Sequence, residues 1–106
     1  MSIQELNDIL ANMQISVYFD HYEPTPEMPN IVPPFILYRD VDADTKKAGN
    51  RVVDIENNYI VDLITETKNI TLEQKLETLF DTNCIIYDKE CDYIASDKVY
   101  QIRYFI

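Results

Sequence analysis

Three groups of side chains in this sequence have types and spacings that could do chemistry. The first is Asp40, Asp42 and Asp44, in the run Asp-Val-Asp-Ala-Asp, which opens like an EF-hand calcium loop. Such a loop needs Gly at its sixth place and a bidentate Glu at its twelfth. Those places hold Thr45 and Arg51. The three aspartates therefore read as a solvated acidic loop tip, which also discourages edge pairing. The second group is Asp54, Glu56 and Asp62, strand carboxylates of the kind that hold a nuclease metal. Strand periodicity puts Asp54 and Glu56 on one face, but the lysine that follows in such sites is missing. The third is His21, the only histidine. It has no nucleophile elbow such as G-x-S-x-G beside it, and it reads as a strand-end or loop histidine. Cys84 and Cys91 have the wrong gap for a C-x-x-C redox or zinc motif. They read as two free thiols of a reducing compartment, unless adjacent strands bring them within bridging distance. No enzyme activity, metal or cofactor is expected from these residues.

The chain they sit in has 106 residues, enough for one domain over 1–106. Its 46% hydrophobic content, with eight Tyr and four Phe, can build a core despite a net charge of −10. The single glycine excludes Gly-rich phosphate loops. No apolar run approaches the roughly 20 residues of a membrane helix. Residues 1–12 lack a basic n-region, so no secretory signal is expected. Nineteen acidic residues against nine basic ones should repel phosphates, so sequence-reading nucleic-acid binding is not expected. A surface that DNA slides past, or one that imitates DNA, remains compatible with that charge. The tyrosines are spread over nearly every predicted strand. Without tryptophan or basic clusters, they favour protein partners over base stacking.

Ser2 and Glu5 have capping-box spacing, and Ile3, Leu6, Ile9, Leu10 and Met13 share a helical face. Residues 15–19 read as a short strand, with Ile15, Val17 and Phe19 alternating. All five prolines lie in 24–34, so 23–34 is an extended surface loop. Residues 35–39 form the next strand, 40–50 a polar loop holding Gly49, and 51–65 a long β segment with an irregularity near Asn57 and Asn58. In it Tyr59, Val61 and Leu63 face one way, with Ile60, Asp62 and Ile64 opposite. Together 35–65 make a long hairpin whose loop reaches beyond the domain body. Thr71 and Gln74 repeat the capping-box spacing before a helix over 71–81, with Leu72, Lys75, Leu76, Leu79 and Phe80 on one face. A strand starts at 85–87. A last strand over 99–106 puts Tyr100, Ile102, Tyr104 and Ile106 on one face. The order is α-β-β-β-α-β-β. The fold class is α+β, with a small antiparallel or mixed sheet of about five strands and two helices packed on one face.

Taken in order, these segments resemble the small tail-completion or tail-terminator (head–tail joining) proteins of siphophages and prophages of Gram-positive bacteria. The resemblance runs through Glu5-Leu6, Val17-Tyr18, His21-Tyr22-Glu23 and Pro33-Pro34-Phe35-Ile36-Leu37-Tyr38. It continues through Ala48-Gly49-Asn50-Arg51-Val52-Val53, Tyr59-Ile60-Val61-Asp62-Leu63, Glu73-Gln74-Lys75-Leu76-Glu77-Thr78-Leu79 and Ile86-Tyr87. It closes on Ser96-Asp97-Lys98-Val99-Tyr100-Gln101-Ile102. The resemblance implies a non-enzymatic virion structural protein, a subunit of a ring, often sixfold, at the head-proximal end of the tail tube. Its partners would be copies of itself, the tail tube and the head–neck proteins. DNA would pass the lumen without specific binding, and no membrane is involved. Such a chain resides in the host cytoplasm during assembly and then in the tail or neck of the virion.

On this reading the candidate subunit interface comprises Lys46, Lys47, Arg51, Ile31, Val32 and Tyr38. The basic members stand out in an acidic chain and would pair with carboxylates of a neighbouring subunit. The competing reading is a small acidic inhibitor, a DNA mimic encoded by a mobile element. It would need carboxylates spaced like phosphates on one face. The acidic residues are instead scattered over all elements, which favours the ring subunit.

Overall fold

The computed structural model describes residues 1–26 and 31–106. Ser2 starts the first helix, α1 (Ile3–Leu10), by accepting a hydrogen bond from the Glu5 N–H at 3.1 Å and donating to the Glu5 carboxylate at 3.3 Å. A 3₁₀ turn over Ala11–Met13 follows, and the chain leaves it through Gln14 in the left-handed region. Of the predicted helical face, Leu6, Leu10 and Met13 are buried, whereas Ile3 is exposed.

Five strands follow: β1 (Ser16–Phe19), β2 (Phe35–Ala48), β3 (Arg51–Thr65), β4 (Asp88–Ile94) and β5 (Val99–Phe105), with the second helix, α2 (Ile70–Thr82), between β3 and β4. They form one sheet in the order β1-β2-β3-β5-β4. β1 runs parallel to β2, and every other pair is antiparallel. The sheet is therefore mixed, and the expected α+β order α-β-β-β-α-β-β is the observed one.

Both helices pack on one face. Leu6, Leu10 and Met13, with Leu76 and Phe80, meet Ile36, Tyr38, Tyr59, Val61, Leu63, Ile102 and Tyr104 in a single cluster. The strand residues alternate, as a half-buried sheet requires. Truncating Phe80 or Leu63 to Ala would cost about 3–5 kcal/mol at such sites.

Four local readings need correction. Residues 40–48 are not a loop: they continue β2, paired with β3 up to a two-residue turn at Gly49 and Asn50. Charged residues hid the strand because neither of its faces is buried. The irregularity near Asn57 and Asn58 exists, but the extra residue is Val41 on the opposite strand; a second register shift lies between Lys46 and Lys47. The cap of α2 is Asn69, whose side chain accepts from the Leu72 N–H at 3.1 Å, so Thr71 is already helical. Finally, β4 starts at Asp88. Ile85 and Tyr87 pack against the core ahead of it, with Ile86 between them fully in solvent.

A polar network missed by periodicity joins α2 to the sheet. Glu73 shares the buried side of α2 with Leu76 and Phe80 and is only 3% exposed. Its carboxylate pairs with Lys68 at 2.8 Å and Lys89 at 2.9 Å. Glu77, one turn on, accepts from Lys89 at 3.1 Å, Tyr104 at 3.0 Å and Tyr87 at 3.2 Å. The rings of Phe80, Tyr87 and Tyr104 meet edge-on or tilted at 5.4–5.5 Å beneath it. Burial, then the hydrogen bond to Glu77, pushes the Tyr104 phenol far above its ordinary value.

Burial alone would raise the Glu73 carboxyl, but the hydrogen bonds and charges of Lys68 and Lys89 outweigh it and hold the group below the ordinary glutamate range. A carboxyl depressed in the folded state contributes stability above its unfolded pKa and loses it as pH falls through the folded value. Glu73→Gln should therefore lose less stability than the parent between neutral pH and about pH 3. The difference should be roughly 1 kcal/mol, because the lysines are partly screened by solvent. Urea midpoints at both pH values check this, and equal losses would contradict the pairing.

Candidate subunit interface

The chemistry-bearing side chains do not converge. Asp54 and Glu56 lie far out on β3, opposite Lys46 and Asp44. Asp62 is eight residues further along, about 26 Å at strand rise, which no single ion spans. It takes a bidentate pair from Arg103 instead, Nε at 2.8 Å and Nη2 at 3.1 Å. Asp42 and Asp44 accept from the Asn58 amide at 2.7 and 3.1 Å across the hairpin. Among the described residues no three His, Cys, Asp or Glu side chains are grouped as metal ligands. Cys84 and Cys91 are free and exposed. No helix among the described residues is long and apolar enough to cross a membrane.

His21 is exposed and sits between two carboxylates, with Nε2 2.8 Å from Glu23 and Nδ1 3.1 Å from Asp20. That is an ion clamp with no nucleophile among its partners. The hydrogen bond with Glu23, then that with Asp20, raises its pKa.

The interface candidates fall into three places. Lys46, Lys47 and Arg51 surround the turn between β2 and β3. Ile31 and Val32 precede β2, the first half-buried and the second exposed. Tyr38 is not at a surface. It is 7% exposed in the core, and its hydroxyl donates to Asn7 on α1 at 2.8 Å, so its ring serves the protomer's own packing.

The decisive geometry is the arm that carries the basic residues. β1 pairs with β2 only over Ser16–Phe19, and β5 pairs with β3 only from Ile60 onward. Residues 41–48 and 51–58 therefore continue as a bare two-stranded ribbon, about 26 Å long at strand rise. The molecule measures 50 × 31 × 26 Å as a result. Gly49 takes a positive φ of 63° at the turn, where its missing side chain removes the penalty. Val41, Val52, Val53 and Ile55 stand in solvent along the ribbon, Val53 at 60% exposure. Residues 45–53 hold three of the nine basic residues and none of the nineteen acidic ones. Lys46, Lys47 and Arg51 form no ion pair with any described carboxylate.

The exposed valines were the signal that sequence reasoning passed over. A β-branched run flanking a Gly-Asn turn is a hairpin mark, and Val52, Val53 and Ile55 have no helix to cover them. Comparison with protein-family models and with curated proteins finds no match.

The His21 clamp gives a direct check on the local geometry. In an NMR titration the His21 ring should protonate above the ordinary histidine value of about 6.5, and Glu23→Gln should bring it down. An unchanged midpoint in that variant would contradict the clamp.

Proposed function

We propose that this protein is a non-enzymatic virion subunit, a tail terminator or head–tail neck completion protein that assembles into a ring at the head-proximal end of a tail tube. The observation that carries the proposal is the bare arm. An isolated two-stranded hairpin is marginal in water, and its free edges invite pairing with another chain. An arm that its own sheet leaves uncovered is best accounted for by a neighbour that covers it. The arm belongs to one end of the protomer, so the contact is head to tail, and repetition of such a contact closes a ring.

Charge supports the same reading. A basic tip on an otherwise acidic protomer attracts the next acidic protomer, which sets orientation and speeds encounter. The acidic excess elsewhere lets DNA pass a lumen without sticking. A DNA mimic would gain nothing from three cations on its most exposed projection.

Deleting the gene from its source element and imaging induced lysates tests the role. DNA-filled heads beside detached tails, some overlong, are expected, and intact particles would contradict it. Lys46→Glu with Lys47→Glu should give the same particles, while the purified variant keeps the parent's circular dichroism. Wild-type particle yield from that double variant would remove the arm tip from assembly.

A further inference from the structure

We propose that the arm tip of one copy docks in a cleft on the helix-free face of the next copy's sheet. The inference rests on the ring reading above and names its two mating surfaces. The cleft has a volume of about 440 Å³ and an apolar lining that includes Ile31, Phe35, Ile64, Ile94 and Val99. The Asp62–Arg103 pair forms part of the same lining, so its charges largely cancel.

The charge beside the cleft is acidic. Register sets Glu90 opposite Arg103 and Asp92 opposite Gln101, both on the cleft face of β4. Asp97 lines the cleft itself. None of these three carboxylates forms an ion pair with a described basic residue. The unpaired anions here and the unpaired cations Lys46, Lys47 and Arg51 are complementary. So are the apolar lining and the exposed Val52 and Val53 beside those cations.

A protomer cannot satisfy itself this way. β2 starts at Phe35 in the cleft and ends at Ala48 beside the tip, about 43 Å away at strand rise. The two surfaces lie at opposite ends of one rigid strand pair, so they meet only between copies. Ile31, assigned to the interface from sequence, belongs to the receiving side, and Lys46, Lys47 and Arg51 to the inserting side.

Cross-linking tests the docking. Cys84→Ser and Cys91→Ser remove the native thiols. Val53→Cys then marks the tip and Ala95→Cys the turn that follows β4; both sites are exposed. A short bis-maleimide is applied to purified particles and to concentrated protein. A ladder of multimers is expected from the double-cysteine chain, at least tenfold above either single-cysteine chain. Mixing the two single-cysteine chains should give dimers only. Absence of the ladder while the chain is incorporated in particles would overturn the docking and leave the ring reading standing. A chain absent from particles and monomeric at every concentration would overturn both.

Discussion

The structure depends on a mismatch of strand lengths. β2 and β3 hydrogen-bond to each other along nearly their whole length, but their outer neighbours cover only the half near the helices. Within that half each strand has a partner on both sides or lies under a helix. Beyond it the ribbon has two open edges, two wet faces and a row of exposed β-branched residues. Sheet proteins normally blunt such edges. Here the two register shifts increase local twist, and charges on one face deter flat stacking, yet the ribbon persists as a projection. Its order and its chemistry both make sense against a second chain.

The body can tolerate this because its own stability does not rest on the arm. The core lies between the two helices and the covered half of the sheet. The Glu73 and Glu77 carboxylates fasten α2 to β4 and β5 through Lys89, Tyr87 and Tyr104. Lys75 adds a bond to the Met13 carbonyl at 3.1 Å, tying α2 to the end of the first helical segment. A buried carboxylate left alone would cost several kcal/mol; with two lysines in contact it fixes the helix position instead. The arm is then free to be shaped by assembly rather than by folding.

Much of this was legible in the residues. Alternation in 59–63 and 100–106 identified the buried face of the central strands, and the Ser2–Glu5 spacing placed the first helix. Reading failed where the periodic signal is weak for a physical reason. Residues 40–48 look like a loop because a strand exposed on both faces has no apolar alternation. Glu73 looks like a surface residue because its burial depends on Lys89, which is distant in sequence. Asp62 looks like a possible metal ligand until the register brings Arg103 opposite it. Tyr38 looks like an interface aromatic, but Asn7 supplies its partner from within the chain. The basic residues at 46, 47 and 51 were singled out by charge alone, and the arm explains why they sit apart from the acidic body.

Hydrogen exchange of residues 41–58 in the free protein and in assembled particles tests the central claim most directly. If the arm is completed by a neighbour, its amides exchange quickly in the free chain and slow by orders of magnitude in particles, while the core strands change little. Equal exchange of the arm in both states would contradict the claim that this ribbon is the assembly surface.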